Sequence, residues 1–210
     1  MSPPPGGDGA MPGVSVAVVS DNQDPDGLGR VRVTYPWRAT DDVSYWARVA
    51  VPMAGPDAGT YFLPEEGDEV LVAFENGDLE HPYVVGALWN GKREPPETNS
   101  DGNNDVRTVR SRSGHELTFD DASDGGGITI ETSGGHTVTL EDTSGSEKVT
   151  VEDGSGQNSL TFDPNAGEVS LEAGGTLSVE APNIEISGQG GVKIESGGML
   201  TLEGALIKIN

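Results

Sequence analysis

Between Ser113 and Asn210 one short pattern, apolar–polar–apolar–polar, recurs eleven times. Its units include Glu116-Leu117-Thr118-Phe119-Asp120, Ile128-Thr129-Ile130-Glu131, Val138-Thr139-Leu140-Glu141, Val149-Thr150-Val151-Glu152 and Leu160-Thr161-Phe162-Asp163. They continue through Val169–Leu171, Leu177–Val179, Ile184–Ile186, Val192–Ile194 and Leu200–Leu202 to Ile207-Lys208-Ile209-Asn210. Gly, Ser, Asp and Asn separate them, and the spacing shortens from about 11 residues to about 7–8. Alternation sends two apolar side chains of each unit to one face and the polar ones to the other. So short a strand cannot bury its own apolar face. It needs neighbours stacked along an axis and packed across it.

A turn after every strand suits three chains wound together, each supplying one face of a triangular prism. The residues expected on that shared axis are Val138, Leu140, Val149, Val151, Leu160, Phe162, Val169, Leu171, Leu177, Val179, Ile184, Ile186, Val192, Ile194, Leu200 and Leu202. Winding around an axis also removes free sheet edges. A homotrimer is therefore expected, with no folded monomer of this half. A single-chain β-solenoid remains the alternative. The Gly-Gly-x-Gly-x-Asp spacing of calcium-binding repeats is not iterated.

Charge narrows the partners. The chain carries 35 acidic and 12 basic residues, a formal net charge of -23. That opposes binding to nucleic acid or anionic lipid, both of which need Lys and Arg. Residues 113–210 hold 17 acidic and 3 basic residues, which predicts an acid-coated shaft that resists non-specific association. There is no cysteine, so disulfides and Cys-ligated zinc are excluded. No run approaches the ~20 apolar residues of a membrane span. The start, Met1-Ser2-Pro3-Pro4-Pro5-Gly6-Gly7, lacks the basic-then-apolar order of a Sec signal.

The first half reads differently. Residues 1–12 are expected to be a flexible leader, 13–91 a barrel, 92–112 a polar linker or neck, and 113–210 the spike. Candidate strands are Val14–Val19, Gly29–Tyr35, Tyr45–Val51, Glu69–Phe74 and Tyr83–Leu88. Asn76-Gly77 between two apolar alternations signals a hairpin. No stretch has a 3.6-residue period. Five short strands in so few residues suggest a small closed barrel such as an OB-fold. The expected class is all-β: an OB-fold barrel followed by an intertwined triple-stranded β-helix.

The motifs then carry a resemblance. Gly29-Arg30-Val31-Arg32-Val33-Thr34-Tyr35-Pro36-Trp37, Trp46-Ala47-Arg48-Val49, Gly59-Thr60-Tyr61-Phe62-Leu63-Pro64-Glu65-Glu66-Gly67-Asp68-Glu69-Val70 and Pro82-Tyr83-Val84-Val85-Gly86-Ala87-Leu88-Trp89-Asn90-Gly91 stand in one order. Together they resemble the OB-fold of VgrG and phage baseplate spike proteins. Arg112-Ser113-Gly114-His115-Glu116-Leu117-Thr118-Phe119-Asp120-Asp121 resembles the entry into their β-helix. The resemblance implies a trimeric, non-enzymatic spike at the baseplate of a phage tail or phage-tail-like particle. Such a spike is assembled in the cytoplasm and driven through the target cell envelope by sheath contraction. It implies a hub at the tail-tube end and a PAAR-type tip protein.

Departures from the family refine this. Only a short leader precedes the barrel, so the hub is expected to be a separate polypeptide. The ~20-residue linker leaves no room for an inserted lysozyme domain. The end, Leu206-Ile207-Lys208-Ile209-Asn210, lacks a His-x-His iron site. Leu206, Ile207, Ile209 and Asn210 are the candidate contact with the tip protein.

No catalytic, cofactor or metal site is expected. His81, His115 and His136 lack ligand-spaced partners, and Glu65-Glu66 and Asp120-Asp121 read as turns. No Gly-x-Ser-x-Gly, His-Glu-x-x-His or P-loop occurs. Trp37, Trp46 and Trp89 read as barrel core or hub contacts, and the barrel lacks a basic groove for oligonucleotides. Two rivals stay open: a fibrous adhesin or receptor-binding fibre, and a cell-wall hydrolase component.

Overall fold

The structure is a computed structural model that describes residues 13–38 and 43–209. It divides into two units, residues up to 104 and residues from 105 on. The expected leader lies outside the described residues, as does Asn210.

The first unit is built on seven short strands. β1 (Val14–Asp21) pairs antiparallel with β2 (Arg32–Thr34). β3 (Arg48–Val49) follows, then a small hairpin of β4 (Ala54–Gly55) and β5 (Ala58–Gly59). β6 (Glu69–Phe74) pairs antiparallel with β1 and with β7 (Pro82–Leu88), and β7 pairs parallel with β3. The order is β2-β1-β6-β7-β3. Val31 and Ala47, just ahead of β2 and β3, form an antiparallel bridge with N–H···O distances of 3.0 and 2.7 Å. That bridge joins the two ends of the sheet into a closed barrel, as an OB-like domain requires.

Alternation puts the right residues inside. Along β6, Val70, Val72 and Phe74 are buried while Glu69, Leu71 and Ala73 are not. Ala17, Val19, Val31, Val33, Tyr35, Ala47 and Val84 complete the core. Each fully buried valine contributes on the order of 1.5 kcal/mol of apolar burial. Tyr35 closes one end: its hydroxyl donates to the Leu79 carbonyl at 2.9 Å, and burial pushes its pKa up to about 12. Asn76 and Gly77 both adopt positive φ (52° and 81°), and the Asp78 N–H donates to the Glu75 carbonyl at 2.9 Å. The hairpin signal is thus realised as a primed turn. It sits at the tip of a longer loop, because the strands resume only at Pro82.

The second unit begins earlier than the sequence pattern indicates. β8 (Val106–Arg110) lies inside the segment expected to be linker. Its Arg107 and Arg110 disguise a strand that pairs with β9 (Glu116–Asp120), Arg107 bridging to Asp121 and Arg110 to Glu116. β10 (Gly127–Glu131), β11 (Thr137–Glu141), β12 (Lys148–Glu152), β13 (Asn158–Asp163) and β14 (Glu168–Ala173) follow. All seven form one antiparallel meander in sequence order. From residue 174 to 209 there is no strand, and every residue is exposed. The expected winding of units 177–180 to 207–210 is not formed within one chain. A four-residue strand without a neighbour has nothing to satisfy its backbone N–H and C=O groups except water. No α-helix occurs among the described residues, and no helix is long and apolar enough to cross a membrane.

Candidate functional site

The meander has two chemically distinct faces, set by its register. One file runs Val109–Leu117–Ile130–Val138–Val151–Leu160–Leu171 across the seven strands. Beside it runs Arg107–Phe119–Ile128–Leu140–Val149–Phe162–Val169. The pleat puts both files on one face. The opposite face carries Thr108–Thr118–Thr129–Thr139–Thr150–Thr161–Ser170, one hydroxyl per strand. Cross-strand apolar and Thr–Thr pairs of this kind stabilise a sheet locally. Within one chain the apolar files are only partly covered: Leu117, Ile128, Val138, Val149 and Leu160 are half-buried, while Val109, Phe119, Ile130, Leu140, Val151 and Phe162 are exposed, Val169 reaching 64%.

Of the sixteen residues expected on the axis, the eight from Val138 to Leu171 stand side by side on this face. Leu177, Val179, Ile184, Ile186, Val192, Ile194, Leu200 and Leu202 lie in the stretch without strands, each at least half exposed. Leu206, Ile207 and Ile209 of the candidate tip contact are likewise exposed, and Asn210 is outside the described residues.

The polar side locks the register. Glu116 accepts the hydroxyls of Thr108 and Thr118, both at 2.9 Å. These two bonds, with Arg110 nearby, hold its carboxyl below the usual range. The turns are braced to one another along each edge. The Ser133 N–H donates to His115 Nδ1 at 3.2 Å, and the Gly154 N–H donates to His136 Nδ1 at 3.1 Å. Asn158 Oδ1 repeats the device on the Gly174 N–H at 3.2 Å. On the other edge Asn165 Nδ2 donates to Glu147 Oε2 at 2.8 Å, lowering that carboxyl's pKa. Successive turns on one edge approach so closely that a Cβ on Gly154 would stand 2.1 Å from the Gly134 carbonyl oxygen. Sequence reasoning left His115 and His136 without a role. The signal was their common place, one after Ser113-Gly114 and the other after Gly134-Gly135, a hairpin repeat apart.

Other candidates resolve into local structure. Asp120 accepts the Ala122 N–H at 3.0 Å, a turn contact, and Asp121 pairs with Arg107. Among the described residues no three His, Asp or Glu side chains gather to hold a metal ion. Trp37 packs on Tyr35 beside the core, with ring centroids 5.4 Å apart, and Trp89 is 70% exposed. The barrel does gather positive charge, which the sequence reading missed. Arg30 and Arg32 both lie over the Trp46 ring, at 5.9 and 4.9 Å, and Arg48 lies over Tyr83 at 5.6 Å.

Residues 15–89 match the family described as the type VI secretion system/phage-baseplate injector OB domain. The chain is also 33% identical over 106 residues to the type VI secretion system spike protein VgrG3 of Vibrio cholerae. In residues 15–89 it carries a VgrG- and baseplate-V-like injector OB domain. The VgrG3 match covers 46% of this chain and 10% of that protein. Spike protein VgrG2a of Pseudomonas aeruginosa is 33% identical over 107 residues, 47% of this chain and 13% of that protein. The actin cross-linking toxin VgrG1 of Vibrio cholerae is 33% identical over 100 residues, 46% of this chain and 9% of that one. The chain thus matches about a tenth of the length of these VgrG relatives.

Proposed function

We propose that the chain is the central spike of a contractile, phage-tail-like injection machine, a mechanical part with no catalysis of its own. Three copies join along their apolar files into one needle, and residues 174–210 of the three wind together beyond the meander. The barrel seats on a separate hub protein at the tail-tube end. Leu206, Ile207, Ile209 and Asn210 form the end that carries a PAAR-type tip. The spike role of the VgrG relatives supports this reading, and so does the injector OB domain.

The observation that carries it is the pair of apolar files, one continuous over all seven strands and the other over the six from β9 to β14, with much of their surface left exposed by the chain itself. Burying them at ~25 cal/mol per Å² is a strong drive to associate, and like copies offer a matching face. The acid-coated outer face stays in water and keeps the needle from adhering as it moves. Sedimentation equilibrium on the full chain tests the proposal. A single species of three times the chain's 21.8 kDa mass is expected. A stable, fully structured monomer overturns it.

A further inference from the structure

The barrel's outer surface holds a pair of arginines whose hydrogen-bonding capacity the chain does not use. Arg30 is committed: it bridges to Asp24 at 2.6 Å and to Asp26 at 2.5 Å. Arg93 is bound to Asp68, Arg107 to Asp121 and Arg110 to Glu116. The side chains of Arg32 and Arg48 make neither an ion pair nor a hydrogen bond among the described residues. Their contacts are aromatic, with Arg32 over Trp46 and Arg48 over Tyr83. The Nε of Arg32 is buried and unsatisfied. Buried donors are nearly always paired, and this one has no acceptor within the chain. In a chain with a net charge of -23, two guanidiniums without a carboxylate stand out.

Their placement follows from the register. The Val31–Ala47 bridge sets Arg30 opposite Arg48 and Arg32 opposite Trp46. With Val31 and Ala47 fully buried, these neighbours face outward. Arg48 in turn aligns with Tyr83 on β7. Arg32 and Arg48 are therefore diagonal neighbours, roughly 7–8 Å apart at the backbone. Stacking on an aromatic ring fixes the plane of a guanidinium and leaves its edge free, so little freedom remains to lose when a carboxylate docks in the bidentate manner.

We infer that this face docks an extended acidic segment of a separate protein, through two carboxylates two residues apart. Side chains at positions i and i+2 of a strand lie on one face about 6.6–6.8 Å apart, close to the backbone spacing of the two arginines. A nucleic-acid strand fits less well. It needs a continuous track of cations, whereas this pair stands beside Asp24 and Asp26, which hold Arg30, and the depression that Arg32 shares with Arg38, Ser44 and Tyr45 has Glu80 on its rim.

The test uses the full chain and a fluorescein-labelled octapeptide of alternating Glu and Ser, followed by anisotropy at low salt. Wild type is expected to bind saturably. R32Q/R48Q is expected to lose at least tenfold in affinity, while R107Q/R110Q, which removes arginines already paired, is expected to bind as wild type does. R32K/R48K keeps the charge without the planar fork and is expected to fall between. Thermal unfolding checks that each variant folds. If the double variant does not fold, R48Q alone is used, with an expected loss of severalfold.

The inference is overturned if wild type does not bind the peptide, or if both glutamine pairs weaken binding alike. Wild-type-like affinity of the lysine pair also overturns it. So does tighter binding of a labelled eight-residue oligothymidine, which would make the face a phosphate reader. Loss of the oligomer in R32Q/R48Q by sedimentation would assign the face to a second copy and equally reject a separate partner.

Discussion

Asp24 illustrates how much local order one side chain can impose. Its side chain is 3% exposed, and it takes two bonds from the Arg30 guanidinium and further ones from the N–H groups of Asp26, Leu28 and Arg30. The Arg30 guanidinium, then the backbone donors, hold its carboxyl well below the usual carboxylate range. A depressed folded-state pKa contributes stability above the unfolded value, near 4, and that stability is lost as the pH falls through and below it. Asp24→Asn should lower the barrel's melting temperature at pH 7 and flatten its decline between about pH 4 and 2, read by thermal scans across that range. Asp153 plays the same part in the meander, its pKa lowered to about 2 by Asn158 first and Ser155 next. On the edge, His136→Ala should leave the fold intact but speed hydrogen exchange of the Gly154 amide. Gly154→Ala should cost about 1–3 kcal/mol or more, visible as a lower unfolding midpoint, because its Cβ collides with backbone rather than with a flexible side chain.

At the scale of the element, the two faces of the meander make opposite predictions for adjacent residues. Leu140→Glu places a charge in the apolar file and should abolish assembly. Thr139→Glu, one residue away on the polar face, should leave it unchanged, and sedimentation of the two variants side by side distinguishes them. This period-two logic is why β9 to β14 were legible in advance: each expected unit lies within a strand or one residue of it. β6 was read to the residue, since Val70, Val72 and Phe74 alternate without interruption. β8 was not, because Arg107 occupies an apolar file and its charge is offset by Asp121, a partner across a turn that periodicity does not see. The histidine braces escaped for the same reason, as they join turns 18 residues apart. The arginine face depended on barrel closure through Val31 and Ala47, which brings β2 beside β3.

For the whole molecule, the stretch from 174 to 209 is the most sensitive reporter of assembly. Exposed along its whole length in one chain, it should be cut early by a non-specific protease in diluted, dissociated protein and resist cleavage in the assembled needle. Removal of Leu206–Asn210 should leave the oligomer and eliminate capture of a PAAR-type protein, measured by co-purification. The edge braces have a further consequence for how such a shaft can change its reach over evolution. Because the chain reverses at each strand, excising a single strand keeps the greasy side greasy but swaps left-hand bends for right-hand ones. His115 would then meet the wrong bend. Excising a consecutive pair restores every match. Shafts of this design should therefore lengthen or shorten by whole hairpins, as a folding ruler does by paired leaves, and odd-numbered steps should be selected against.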